Sequence, residues 1–211
     1  MQPFTTVTAV AAPIDLPNID TDRIIPARFL RKPKEGLGGL LFHDVRFDDQ
    51  GHEREDFVLN QAPFRDAKVL VVADNFGCGS SREAAVWVLE AHGIRAVIAP
   101  SLGDIFHGNC EKNGLLPVIL RPDVVAGLRA QLHAHPGARV TVDLPSQTVT
   151  APDGTTHRFE IDPFRKQALL SGQDEIALTL GYETDIAAFE TRHAQAMPWL
   201  HETPTKGGAI A

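Results

Sequence analysis

The sequence predicts a mixed α/β fold, with a parallel βαβ core followed by an antiparallel β portion. Three observations carry this. Between Lys68 and Leu120, short apolar runs alternate with segments of helical periodicity. The connecting segments are long enough to return the chain to the same end of a sheet, as parallel pairing requires. Downstream, "RVTVDLPSQTVTAPDGTTHRFEI" (Arg139–Ile161) reads as a meander of short strands around an Asp153-Gly154 turn.

The elements follow in order. "KVLVVA" (Lys68–Ala73) is apolar on successive residues, the mark of a strand buried on both faces. "SSREAAVWVLEAH" (Ser80–His92) reads as a helix, because Ala85, Val88, Leu89 and His92 recur at i, i+3, i+4 and i+7. Ser80 and Glu83 have the spacing of a capping box, and Gly93 supplies a left-handed C-terminus. "RAVIAP" (Arg95–Pro100) is a second strand, "LGDIFHGNCEKN" (Leu102–Asn113) a second helix closed by Gly114, and "LLPVIL" (Leu115–Leu120) a third strand. "PDVVAGLRAQLHAHPG" (Pro122–Gly137) starts with Pro and ends before Pro-Gly, as a bounded helix should. The first 65 residues read as strand and loop. The expectation is one compact domain over 1–196, then a Pro- and Gly-rich tail, 197–211, either disordered or ordered against a partner.

Composition narrows the function. A chain of 211 residues, 43% apolar, is long enough for one packed domain. Its net charge of −7 argues against a nucleic-acid surface, which needs clustered Lys and Arg. The longest basic run, "RKPK" (Arg31–Lys34), reads as a solvated loop. No stretch approaches the ~18 uninterrupted apolar residues of a membrane span, and "MQPFTTVTAVAAPID" makes a poor signal peptide. Two cysteines, Cys78 and Cys110, make no disulfide framework, so a reducing cytoplasm is expected.

The chemistry converges on "DNFGCGSSRE" (Asp74–Glu83). Gly77 and Gly79 let backbone approach a ligand closely, and the first turn of the expected helix offers free N–H groups to an anion. Arg82 opposes the dipole preference at that position, and its fork suits a carboxylate or phosphate. The bland reading is that Ser80 only caps the helix. Nucleotide motifs fit poorly. No lysine completes a Walker loop, Arg82 stands where a third glycine belongs, and "RAVIAP" ends without an acidic residue for a ribose. A small carboxylate fits better. Cys78 reads as small apolar filling of a tight turn rather than a nucleophile. Two cysteines fall short of the four ligands of an iron–sulfur cluster, and the nine histidines show no metal-binding spacing, so no metal site is expected on this chain.

Three motifs carry a family resemblance. "NIDTDRIIPARFL" (Asn18–Leu30), "DNFGCGSSRE" and "GDIFHGNCEKNGLLPV" (Gly103–Val118) together resemble the small subunits of 3-isopropylmalate dehydratase, in the aconitase superfamily. The resemblance extends to "FVLN" (Phe57–Asn60) and "RFEIDPFRKQALLSGQDEIALTL" (Arg158–Leu180). It implies an aconitase-like swivelling domain, layered β/β/α. It also implies a separate, larger partner, the 3-isopropylmalate dehydratase large subunit, which holds a [4Fe–4S] cluster, with the active site between the chains. The implied activity is a hydro-lyase step of leucine biosynthesis that interconverts 2- and 3-isopropylmalate through a cis-alkene. On that resemblance Ser80 is the base, used as an alkoxide, while Ser81 and Arg82 hold substrate carboxylate. Asp22 either orients an arginine or the serine loop, or is an ordinary turn residue. Arg31 or Lys32, in "RFLRKPKEGLGGLLF" (Arg28–Phe42), reaches a carboxylate of the hydroxy dicarboxylic acid. Family members commonly carry His where this chain has Ala84, which leaves related substrates open: dimethylmalate, citraconate or homoaconitate types. A carboxylate-binding module without catalysis and a nucleotide-binding βαβ protein are the rivals from other classes.

Overall fold

The structure, a computed structural model, describes residues 1–34 and 36–200. Its centre is β1 (Thr6–Ile14), in a curled seven-stranded sheet of order β4-β3-β2-β1-β5-β6-β7. On one side lie β2 (Val69–Val72), β3 (Ala96–Ala99) and β4 (Leu116–Ile119), each parallel to its neighbour. On the other lie β5 (Arg139–Asp143), β6 (Thr148–Thr150) and β7 (Thr156–Arg158), all antiparallel. The two halves of β1 serve different neighbours. Ala11–Ile14 pair with Val69–Val72, while Thr6–Val10 run against Asp143–Arg139.

Alternation along the central strands feeds two cores. Leu70, Val72 and Val97 face one side, packed with Ala85, Val88 and Leu89 of α3 (Ala84–His92) and with Phe106 and Cys110 of α4 (Asp104–Asn113). Val69, Val71 and Ile98 face the other, against Val125, Leu128 and Leu132 of α5 (Pro122–Ala134) and Leu169 of α6 (Pro163–Ser171). Every residue of β2 and β3 is buried, as strands covered on both faces must be. Each such Val, Leu or Ile contributes roughly 1.5–3 kcal/mol against exposure.

The expected capping box does not form. Helix α3 starts at Ala84 rather than Ser80, and Glu83 occupies the cap position with no side-chain cap bond. The reason is tertiary: Asp20 bridges to Cys78 in parallel fashion, and Thr21 Oγ1 donates to the Ser80 carbonyl at 2.8 Å. That carbonyl, which a cap residue would direct into the helix, is bound elsewhere. The C-terminus is as expected, with Gly93 left-handed at φ 102°.

The first 65 residues hold β1, two single-turn helices, α1 (Thr21–Ile24) and α2 (His43–Arg46), and several 3₁₀ turns. One of these, Leu37–Leu40, lies flat on α3. A Cβ on Gly38 would sit 2.4 Å from the Ala91 carbonyl oxygen, so only glycine fits. His92 Nδ1 bonds the Gly38 carbonyl at 2.9 Å and must therefore carry the proton.

By contacts the chain divides into two compact units, Met1–Asp174 and Glu175 onward. In the second, α7 (Glu175–Leu180) and α8 (Glu183–Ala196) precede a 3₁₀ turn at Pro198–Leu200. No residue of α8 is buried. The expectation for the tail falls mostly on 201–211, outside the described residues. Among the described residues no helix is long and apolar enough to cross a membrane.

Burial lowers the His92 pKa from its ordinary 6.5. A folded-state pKa below the unfolded one means the unfolded chain binds the extra proton first, so stability falls as pH drops through about 6.5. His92→Asn keeps a donor to Gly38 and removes this titration. Denaturant unfolding between about pH 7 and pH 5 is expected to show a smaller acid loss in the variant than in the parent.

Candidate active site

Three loops meet at the carboxyl ends of β1, β2 and β3, where open parallel sheets collect ligands. The loop after β1 is stitched to the loop after β2 by main-chain bonds: Asn18 N to Asp74 O (2.9 Å), Gly77 N to Ile19 O (2.7 Å) and Thr21 N to Cys78 O (3.0 Å). The loop after β3 joins through Gly103 N to Phe76 O (2.9 Å) and Asn75 N to Ser101 Oγ (2.9 Å). Backbone approach is close enough to demand glycine twice. A Cβ on Gly77, whose φ is +74°, would lie 2.3 Å from Cγ of Phe106. One on Gly103 would lie 2.6 Å from the Gly77 carbonyl oxygen.

These loops enclose a cleft of about 230 Å³, with Ser80, Ser81 and Arg82 on one wall and Gly103–Phe106, the start of α4, on the other. The first-turn amides of α4 precede its first intrahelical bond, His107 N to Gly103 O at 2.9 Å. The helix end at the cleft is thus that of α4, whose free amides stand beside the Asp104 carboxylate of the same turn. The sequence assigned it to α3, whose start lies beyond Arg82. Ser80 and Ser81 are exposed to the cleft. Arg82 is mostly buried and forms an ion pair with Asp22.

Asp22 is thus paired with Arg82, and the side chain that accepts from the turn is that of Asp20, whose Oδ1 accepts from Arg23 N at 2.7 Å. Arg31 and Lys32 do not line the cleft. Both are exposed, with Lys32 Nζ 5.3 Å from the Phe29 ring centroid. The sequence reading placed Thr21 and Gly103–Phe106 within family motifs but gave them no role; Thr21 holds the Ser80 carbonyl and Gly103–Phe106 form a wall of the cleft. The signal was present in "LGDIF", a glycine opening a helix directly after a strand. A larger hollow of about 480 Å³, walled by Phe42, Phe57 and Phe64, does not include Ser80. That hollow has charged groups of its own, Asp15, Arg23, Arg54, Asp56 and His133, but none of the residues of the Ser80–Ser81–Arg82 motif.

The donor set of this chain does not fit an iron–sulfur cluster. Cys78 lies in the cleft, but Cys110 is fully buried and burial pushes its thiol well above the ordinary range, the wrong state for a thiolate ligand. Among the described residues no three His, Cys, Asp or Glu side chains group closely enough to hold an ion.

Comparison with known proteins adds to this geometry. The family model for the aconitase C-terminal domain matches residues 1–123. A second model, for the C-terminal domain of the 3-isopropylmalate dehydratase small subunit, matches 175–203. The 3-isopropylmalate dehydratase small subunit of Jannaschia sp. is 54% identical over 95% of this chain and all of its own length. The chain belongs to the 3-isopropylmalate dehydratase small-subunit family. The protein of the same name from Leptospira interrogans is 51% identical over 95% of the chain and 99% of its own. Among solved structures, the 3-isopropylmalate dehydratase of Methanocaldococcus jannaschii matches with a TM-score of 0.62 at 25% identity. It covers 89% of this chain and 98% of its own. The aconitase-type fold expected from the motifs is the fold observed.

Gly77→Ala adds a methyl inside the Phe106 ring and a side chain at positive φ. It is expected to destabilise the fold by about 2–4 kcal/mol, read by denaturant unfolding. A loss below about 0.5 kcal/mol would show that the Gly77–Phe106 approach does not constrain the loop.

Proposed function

We propose that this chain is the small subunit of a 3-isopropylmalate dehydratase, a hydro-lyase of leucine biosynthesis, and that Ser80 is its base. The observation that carries the site is the Asp22–Arg82 ion pair, which holds a mostly buried guanidinium in the same open cleft as two exposed serines. The elimination needs a proton taken from the carbon next to a carboxylate. In this reading the Ser80 alkoxide takes that proton, the C–H electron pair becomes the alkene, and the hydroxyl departs. Rehydration runs the steps backward with the opposite regiochemistry. A serine serves as base only where amide donors and positive charge stabilise its anion. Arg82 supplies the positive charge, and the free amides of the α4 first turn supply donors, against the Asp104 carboxylate in that same turn.

Ser81 and Arg82 hold the carboxylate, Arg82 by its two-pronged donor face. Asp22 limits the guanidinium to one orientation. Arg31 and Lys32 stand outside the cleft in this chain, so any contact of theirs with substrate belongs to the assembled enzyme. The partner is the larger subunit, which in this reading holds the iron–sulfur cluster, and the assembly works in the cytoplasm.

The test is cis-alkene formation from 3-isopropylmalate, followed by ultraviolet absorbance in the complex with an anaerobically reconstituted large subunit. Ser80→Ala is expected to lower kcat by about 10²–10⁴ with the complex intact. Parent-like turnover would remove Ser80 from the chemistry. Preferred turnover of dimethylmalate or citramalate would overturn the substrate while leaving the site. Asp22→Asn is expected to lower kcat/KM about ten-fold, because Arg82 loses its charged anchor.

A further inference from the structure

The spacing of the sequence gives Glu83 a place in a capping box, and the structure gives it another partner. Its Oε1 accepts from Asn113 Nδ2 at 2.9 Å, across to the last residue of α4. The other end of the same amide is occupied by Trp87, whose Nε1 donates to Asn113 Oδ1 at 2.9 Å. An indole N–H only donates, so it fixes which end of the amide is oxygen. The Asn113 nitrogen must then face Glu83. A third bond, Asn113 Nδ2 to Asn109 O at 2.9 Å, holds the side chain against its own helix. Glu83 directly follows Arg82, at the one point where the backbone passes from the cleft wall into α3. Lys34 Nζ sits 4.0 Å from the Trp87 ring centroid, so the indole also touches the loop that contains Arg31 and Lys32.

We propose that Asn113 is a positioning residue for the dehydration: through Glu83 it sets where the main chain presents Arg82, with Trp87 fixing the amide's orientation. This rests on the reading of Ser80 and Arg82 as the reacting and carboxylate-holding groups. Two independent anchors then place the guanidinium. Asp22 holds it from the side-chain end, and Asn113 holds the turn from the main-chain end. Both α4 termini serve the same cleft, the N-terminus as a wall and the C-terminus as a brace.

The test uses the assembled two-subunit enzyme. Asn113→Asp keeps the acceptor for Trp87 and sets a carboxylate against Glu83. Its kcat/KM is expected to fall about five-fold, since a hydrogen bond to a partly solvated charged group is lost. The double variant Glu83→Gln with Asn113→Asp restores the bond to residue 83 with donor and acceptor exchanged, and is expected to recover the part of the loss that runs through it, while the bond to the Asn109 carbonyl stays lost. In an Arg82→Ala background Asn113→Asp is expected to cost almost nothing more, because its effect runs through Arg82. A merely structural Asn113 would instead lower thermal stability while kcat/KM per assembled complex stayed at the parent value, or would cost the same five-fold with Arg82 absent. Either result overturns the proposal. If Ser80→Ala abolishes turnover while Asn113→Asp has parent kcat/KM, this inference fails alone. If Ser80→Ala retains turnover, the site reading fails and takes this inference with it.

Discussion

The division of β1 between two neighbours is the constraint on which the rest depends. Thr6–Val10 pair antiparallel with β5, while Ala11–Ile14 pair parallel with β2. One nine-residue strand therefore joins a parallel half-sheet to an antiparallel one and fixes the register of both. Because side chains alternate along a strand, a one-residue slip of β1 would exchange the faces on which Ala11 and Ala12 sit, and so exchange two cores at once. Register here is held from both sides.

That register places the chemistry. The carboxyl end of β1 leads to Asp20–Asp22, that of β2 to Gly77–Arg82, and that of β3 to Gly103. Parallel pairing brings these ends together, and the main-chain bonds between the loops lock them. Several backbone groups in these loops bond to a neighbouring loop rather than within regular secondary structure, which keeps irregular chain ordered. The glycines make this approach possible. Where Gly77 meets Phe106 and Gly103 meets the Gly77 carbonyl, a side chain would force the loops apart and open the cleft.

The cleft also explains how a serine and an arginine are held without a helix cap. Ser80 gives its carbonyl to Thr21, so its hydroxyl is free of the capping role. Arg82 is anchored by Asp22, from the same loop that supplies Thr21. Two residues that follow β1 thus hold two residues of the β2 loop. The helix end at the cleft comes from α4, on the opposite wall.

The sequence by itself determined the parts whose physics is local. Runs such as "VLVV" and "AVIA" are buried on both faces wherever they pair, and Gly93 and Gly114 end their helices through their own backbone freedom. The order of strands and helices declared the parallel core, and the Ser80–Ser81–Arg82 motif lines a cleft at its carboxyl end. What only the tertiary structure decided is who partners whom. Ser80 and Glu83 have the spacing of a cap, yet the helix starts at Ala84, the Ser80 carbonyl accepts from Thr21 and the Glu83 carboxylate from Asn113, 59 and 30 residues away. Asp22 pairs with Arg82, in the loop after a different strand. Arg31 and Lys32 are near Asp22 in sequence but stand outside the cleft, because the chain between them turns away through Ala27–Phe29. Spacing along a chain governs contacts within one turn of helix. Contacts across the chain depend on where the sheet register sets the loops, and no local pattern records that.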